Sequence, residues 1–122
     1  MAIYPKHDFA FASNDAIRLQ ILDALPDGTS PAVDLSAYVG VNFLFSINGG
    51  SKQTRAAVIE TQAGDTLGYC NYTWQDADLV WSDTTEDGLM TLDVQLVGSG
   101  GANDDHFLPD TLTFKVRRPL PT

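Results

Sequence analysis

The feature that most constrains the fold is a period-two alternation of apolar and polar residues that recurs along the chain. This alternation is typical of β-strands with one buried face, because successive side chains of a strand point to opposite sides. No segment of twelve or more residues shows the 3.6-residue period of an amphipathic helix. A weak strand is predicted at 33–35. The stronger alternating runs are 17–21, 39–47, 54–59, 70–75, 90–96 and 112–117.

Turn-forming residues separate these runs. Asn48-Gly49 is the strongest hairpin signal, because both residue types accept the positive φ of a tight turn. Loops are predicted at 26–31 and 98–105, and residues 75–87 favour either one short helical turn or a bent crossover. Short strands at intervals of roughly 10–20 residues are typical of an all-β sandwich or a small barrel.

The charge of the chain is strongly acidic and unevenly distributed. Seven Lys and Arg residues against sixteen Asp and Glu residues give a net charge of −9 and a pI near 4.2. Nucleic acids and anionic membrane surfaces are bound through clustered positive charge, so neither is an expected partner. Residues 61–110 hold ten acidic residues and no Lys or Arg, whereas the last twelve residues hold three basic ones. This asymmetry fits a solvated acidic face. It also raises the hypothesis that the basic tail of one copy binds the acidic face of the next.

Cysteine content and hydropathy bear on where the chain folds. A single cysteine, Cys70, excludes an internal disulfide and favours a reducing compartment. No segment approaches the roughly 20 consecutive apolar residues of a membrane helix. Residues 1–8 interrupt their apolar residues with Pro, Lys and Asp, so we expect no secretion signal there.

The order of strands and turns resembles a known family. The segments that carry the resemblance are 15–19, 33–36, 41–45, 68–74, Asp76, Asp78, 87–94, Pro109 and 112–116. Their order resembles the immunoglobulin-like N-terminal domain of phage baseplate upper proteins and its small stand-alone relatives, over about residues 14–117. The resemblance implies an immunoglobulin-like antiparallel β-sandwich of about seven strands. It places an N-terminal arm at 1–13, the sandwich at 14–117 and a C-terminal tail at 118–122, and it implies no ligand.

Residues with chemical potential form no recognisable catalytic or metal motif. The acidic residues within 76–87 lack the spacing of a calcium loop, and the adjacent residues 104–106 point to opposite faces of an extended segment. Cys70 lies in an alternating strand, where a small buried residue is expected, and no basic residue of 61–110 would activate its thiol. Nucleophile-elbow and phosphate-loop motifs are also missing from the sequence. We therefore predict no catalytic, metal-binding or cofactor-binding residues and no enzyme.

Candidate interface residues are aromatic and apolar residues outside the alternating runs, together with two basic residues at the C-terminal end. Trp74 is in phase with Cys70 and Tyr72 and is expected in the core, whereas Trp81 lies in the acidic crossover. An exposed Trp81 would anchor a partner protein or a sugar, and simple burial is the alternative. The terminal segments are expected to cap the sandwich or to lie on a neighbouring subunit. The candidate interface residues are Ile3, Tyr4, Phe9, Phe11, Trp81, Arg117 and Arg118.

The resemblance and the residue patterns together favour a non-catalytic structural protein of a tailed bacteriophage virion, assembled in the cytoplasm of the bacterial host. The expected role is that of a tail or baseplate adaptor. The alternatives are a capsid decoration protein of the phage head and a carbohydrate- or receptor-binding module. Expected partners are other virion proteins and further copies of the chain, in a homo-oligomer or a lattice. No cofactor, nucleic acid or membrane is expected.

Overall fold

The computed structural model describes residues 2–3, 10–82, 87–98 and 105–119, with the backbone alone for 2–3. These residues form an all-β domain with short 3₁₀ turns at Leu35–Ala37, Gly64–Thr66 and Asp76–Asp78. The strands in chain order are β1 (Ala2–Ile3), β2 (Ala16–Leu22), β3 (Gly40–Ile47), β4 (Gln53–Ile59), β5 (Tyr69–Thr73), β6 (Asp87–Val97), β7 (His106–Phe107) and β8 (Leu112–Arg117).

The strands form one curled antiparallel sheet that folds over a single core. The order across the sheet is β1-β2-β5-β4-β3-β6, and β7 and β8 follow one another along the far side of β6. Strand β4 pairs with β3 along most of its length and with β5 at its end, so it joins the two layers. The pairs β2–β5 in one layer and β3–β6–β8 in the other are those of an immunoglobulin-like sandwich. The predicted fold class is confirmed.

The segment before β2 brings the two ends of the curled sheet together. The Phe11 N–H donates to the Lys115 carbonyl (3.0 Å), and the Arg117 N–H donates to the Phe11 carbonyl (2.7 Å). Phe11 thus pairs with Val116 of β8 in parallel, while β1 pairs with the end of β2. Backbone hydrogen bonds thus attach parts of the predicted N-terminal arm at 1–13 to the sandwich, which fits the alternative that this segment caps the fold.

The alternating side chains predicted from the sequence fill the core. The inner faces of β2, β3 and β6 are the most completely buried. Trp74 is fully buried, as expected, and contacts the rings of Phe45 and Tyr72 edge-on at centroid distances of 5.3 and 5.2 Å. The largest buried side chains of the strands are Ile17, Leu19, Ile21, Phe43, Phe45, Met90, Leu92 and Leu96.

The predicted hairpin is confirmed, and the predicted strand at 33–35 is wrong. Asn48 and Gly49 both have positive φ (52° and 73°), and the Gly50 N–H donates to the Ile47 carbonyl (2.9 Å), which closes the turn. At 33–35 the chain instead enters the 3₁₀ turn Leu35–Ala37. The Asp34 carboxylate accepts from the Ser36 N–H (3.0 Å), and this cap favours the turn over an extended strand.

Candidate interaction site

A buried carboxylate fixes the crossover between β5 and β6. Asp78 is 1% exposed, and its Oδ1 accepts a hydrogen bond from the Nε of Arg55 on β4 (2.8 Å). Its Oδ2 accepts from the Tyr72 hydroxyl (2.5 Å) and from the Gln75 N–H (3.0 Å). These contacts, which we call the Asp78 anchor, supply both carboxylate oxygens with donors. A buried charge needs this compensation, because burial without it costs several kcal/mol.

The Arg55 and Tyr72 side chains are fixed by the same anchor. Arg55 also donates from Nη2 to Gln53 Oε1 (2.8 Å) and from Nη1 to the Thr54 carbonyl (2.9 Å). Burial, and then the hydrogen bond to the Asp78 carboxylate, raise the pKa of Tyr72 to about 12. The phenol therefore stays protonated as a donor at neutral pH. The anchor holds the chain in place and leaves no carboxylate oxygen without a donor for acid–base chemistry.

The Asp78 anchor determines which side chains of the crossover point inward. Leu79 is fully buried, Val80 is 63% exposed, and Trp81 is buried apart from 9% of its surface. Trp81 packs where β6 begins, against Gly88. A Cβ at Gly88 would lie 3.3 Å from Trp81 Cε2 and 2.7 Å from Ile47 Cγ2, so glycine is what leaves room for the indole.

The C-terminal segment covers the other side of Trp81. The guanidinium carbon of Arg118 lies 4.8 Å from the Trp81 ring centroid, and its Nη2 donates to the Trp81 carbonyl (3.0 Å). Arg117 pairs with Asp87, with 2.9 Å between Nε and Oδ1. The hydrogen bond from Arg117, followed by attraction to Arg117 and Lys115, lowers the pKa of the Asp87 carboxyl. The start of the basic tail is thus bound to its own chain.

Two open cavities flank the Trp81–Arg118 contact. The first has a volume of about 350 Å³ and lies between the β3–β4 hairpin and the crossover. Its walls combine Val80 and Trp81 with the neutral polar residues Ser51, Gln53 and Ser82. The second, of about 340 Å³, lies on the Arg117 and Arg118 side. The described residues lining the first cavity carry no charged side chain, so it would suit a neutral ligand.

The structure brings three of the predicted interface residues together and buries two of the candidates, Trp81 and Phe11. Trp81, Arg117 and Arg118 lie at one end of the sandwich. Phe11 is 2% exposed and contacts the Phe114 ring edge-on at 5.1 Å, which fits the capping alternative for the N-terminal segment rather than contact with a neighbour. It is buried because its backbone pairs with β8. Ile3 is described by its backbone alone, which pairs with Ile21. Tyr4 and Phe9 lie outside the described residues.

The hypothesis of a basic tail binding the acidic face of another copy needs revision. Arg117 binds Asp87 of its own chain, and Arg118 covers its own Trp81. Both contacts occupy the side chains that the hypothesis assigned to a neighbour. The charge asymmetry of the sequence is therefore satisfied at least in part within one chain.

Sequence reasoning missed two features of the molecule. One is the Arg55–Asp78 ion pair, whose only signal was an arginine at a position in phase with Ala57 and Ile59 of a short strand. The other is a group of large apolar side chains on the outer surface. Leu44, which interrupts the polar positions of its strand, was a partial signal for this group. Those more than half exposed are Val39, Val58, Val80, Leu89 and Phe107.

The described residues contain no cluster that could hold a metal ion, and the cysteine among them is buried. No group of three His, Cys, Asp or Glu side chains among them is placed to hold a metal ion. Cys70 is fully buried, and burial, followed by the charge of Glu60, raises its pKa to about 12, which keeps the thiol protonated. The His106 ring contacts Tyr38 edge-on at 6.3 Å. Within the described ranges, no helix is long and apolar enough to cross a membrane.

The fold and the site together define an immunoglobulin-like β-sandwich. Its buried polar groups stabilise the fold, and several of its large apolar side chains are exposed to solvent. Comparison of the chain with protein-family models, curated proteins and solved structures finds no match.

Proposed function

We propose that the protein is a non-catalytic structural component of a tailed bacteriophage virion, which acts by protein–protein assembly as a tail or baseplate adaptor. The assignment to a virion rests on the sequence resemblance over about residues 14–117, and the immunoglobulin-like fold agrees with it. Assembly would take place in the cytoplasm of the bacterial host. The partners would be other virion proteins and further copies of the chain.

The observation that carries this proposal is the set of large apolar side chains that the fold leaves exposed. Val39, Val58, Val80, Leu89 and Phe107 are each more than half exposed. Binding to a partner would remove these side chains from water, which is favourable because exposed apolar surface is costly to hydrate. The residues best suited to chemistry are meanwhile buried or paired within the fold, as Cys70 and Asp78 are. Binding is therefore better supported than catalysis.

The position on the particle can be tested by imaging. Particles purified from the native source would be labelled with a gold-conjugated antibody against the chain and viewed by electron microscopy. Label at the tail or baseplate supports the adaptor role. Label spread over the head supports the capsid decoration alternative. Intact particles without label, alongside soluble protein in the same lysate, would contradict the virion proposal.

The terminal segments keep their proposed role in assembly, with a more restricted test. Deleting 1–13 would remove Phe11 from the core and would confuse unfolding with loss of contact. Deleting 1–9 and 120–122 instead leaves the Phe11 pairing and the Arg118 contact in place, and because it also removes β1 from the edge of β2, the stability of the shortened chain is measured by urea denaturation alongside. If Ile3, Tyr4 and Phe9 contact neighbours, the shortened chain should fold but lose particle association. Undiminished association would remove these segments from the interface.

A carbohydrate- or receptor-binding role is the second candidate, and the cavity of about 350 Å³ favours it. Its neutral polar walls beside an indole suit a sugar better than they suit a charged ligand. Ser51 is exposed at the rim, so Ser51→Tyr should fill the cavity without disturbing the core. A glycan that binds the wild type and not Ser51→Tyr would support this role. If the protein binds no glycan on an array, the carbohydrate-binding role is contradicted and the assembly role stands.

A further inference from the structure

The outer face of the β4-β3-β6-β7 layer carries a surface unlike the rest of this acidic chain. We define it by Asn42, Leu44, Val58, Gln95, Val97 and Phe107 and call it the neutral face. Val58, at the end of β4 where that strand pairs with β5, is 60% exposed, and Phe107 on β7 is 62% exposed, so they mark opposite edges of the face. The strand register places Gln95 between Asn42 and Phe107 on the same side of the sheet.

We propose that the neutral face binds the neutral face of a second copy of this chain, so that two sandwiches stack sheet to sheet. The inference rests on the proposed assembly function and names one of its partners. Sheets that pack in this way lie about 10 Å apart and interdigitate the side chains of the two facing layers.

The lack of net charge on the neutral face is what allows a second copy to occupy it. A chain with a net charge of −9 repels its own copies, so self-association requires a contact surface without net charge. The outward positions of β3 (Gly40, Asn42, Leu44 and Ser46) are all uncharged. Two ion pairs neutralise the nearby charges: Arg18 with Glu60, and Lys52 with Asp93, which lies opposite Leu44 in the strand register. A nucleic acid or an anionic membrane would meet no complementary charge here.

The polar groups of the neutral face are self-complementary. The Asn42 Nδ2 donates to Gln95 Oε1 at 3.3 Å, a long bond between two side-chain amides. Each amide has two donor hydrogens and an acceptor oxygen, so the pair retains capacity for further hydrogen bonds. A two-fold interface places a surface against a copy of itself, so it requires groups that can both donate and accept. Gly40, beside Val97, adds no side chain that would hold the layers apart.

The size of the face indicates a weak contact. Neighbouring strands lie about 4.8 Å apart, so a four-stranded layer is roughly 19 Å wide. Such a face is small for a permanent homodimer, which usually buries more than about 1,000 Å² on each partner. We therefore expect dissociation in solution at sub-millimolar concentrations. The contact would become strong only where many copies are held side by side, as on a particle.

Sedimentation equilibrium of the purified chain provides the first test. The average mass should rise above the 13.2 kDa monomer as the concentration increases to about 1 mM. Val58→Lys and Phe107→Lys should each remain monomeric, because each adds a charge to both sides of the contact. Val80→Lys is the matched control, since Val80 is equally exposed at the other end of the sandwich and should associate like the wild type. A wild type that is monomeric throughout would overturn the proposal, as would association that survives both face variants.

Cysteine trapping provides the second test and locates the contact. Gln95→Cys should form an intermolecular disulfide under mild oxidation, whereas Val80→Cys should not. The native Cys70 is fully buried and should not compete. Equal crosslinking of the two variants would contradict a contact at this face.

The outcomes separate this inference from the proposed function. Self-association that Val58→Lys abolishes supports the inference even if the protein never associates with virions. Particle association with no self-association at the neutral face contradicts the inference and leaves the virion proposal standing.

Discussion

Removal of the Asp78 carboxylate is the perturbation with the most clearly defined consequence. Asp78→Ala leaves the Arg55 Nε, the Tyr72 hydroxyl and the Gln75 N–H without their acceptor. Breaking a buried ion pair by removing one partner typically costs about 3–5 kcal/mol. The Arg55 side chain is 35% exposed and recovers part of its hydration, so we expect the lower end, about 3 kcal/mol.

The reciprocal substitution should cost more. Arg55→Ala leaves the Asp78 carboxylate, whose side chain is 1% exposed, with two neutral donors and no cation. Water cannot reach that carboxylate as it reaches Arg55, so we expect about 4 kcal/mol. Tyr72→Phe removes one of the three donors and should cost about 1–2 kcal/mol. The predicted order of destabilisation is therefore Arg55→Ala, then Asp78→Ala, then Tyr72→Phe.

The assay is urea denaturation followed by tryptophan fluorescence, with the free energy of unfolding extrapolated to water. Lys52→Ala is the control, because the Lys52–Asp93 pair is exposed and should contribute less than about 1 kcal/mol. A loss below about 1 kcal/mol for Asp78→Ala would refute the argument that this pair is buried and stabilises the crossover. A loss equal to that of Lys52→Ala would have the same meaning.

Three further predictions follow from packing, titration and stacking. Gly88→Ala should destabilise the fold by about 1–3 kcal/mol, because the new Cβ would lie 2.7 Å from Ile47 Cγ2, whereas Gly40→Ala, with nothing within 4 Å, should change the urea midpoint little. Folding raises the pKa of the Cys70 thiol from 9.0 to about 12, so the protonated thiol stabilises the folded state below pH 9. This contribution to the free energy of unfolding is lost as the pH rises towards 12. Cys70→Ala should therefore lose less stability than the wild type over that interval, and the wild-type thiol should react with a thiol reagent only after unfolding. Arg118→Ala uncovers Trp81 and should shift its fluorescence to the red at a cost of about 1 kcal/mol, with unchanged fluorescence arguing against the stacking.

Much of the fold follows from local pattern. The strands β2, β3, β6 and β8 lie where alternation predicts them, because a half-buried strand imposes its period on the sequence. The Asn48-Gly49 turn was predictable for a similar reason, since its backbone conformation favours those residues. The turn that begins at 33–35 was not predictable, because its local sequence favours an extended strand about as much as the turn that the Asp34 cap stabilises.

The alternation of apolar and polar residues does not predict which residues far apart in the chain contact one another. In the sequence, Phe11 lies in the terminal segment before the first alternating run. Only its parallel pairing with Val116 shows that it belongs to the core. Trp81 and Arg118 were each selected as candidates, but their contact with one another depends on how the sheet curls. The neutral face is also defined by register, which places Phe107 beside Gln95. Periodicity assigns a residue to a face and does not give its neighbours on the adjacent strands.

The proposal that the chain is a virion component is tested most directly by gradient sedimentation of a clarified lysate from its native source. We predict that the chain sediments with particles of virion size and remains with them at moderate salt, because apolar contacts are little affected by screening. The same gradient run with Val80→Lys and Val58→Lys chains would show which surface holds the protein to the particle. Wild-type protein that remains at the top of the gradient as a small species, while intact particles sediment without it, would contradict the proposal.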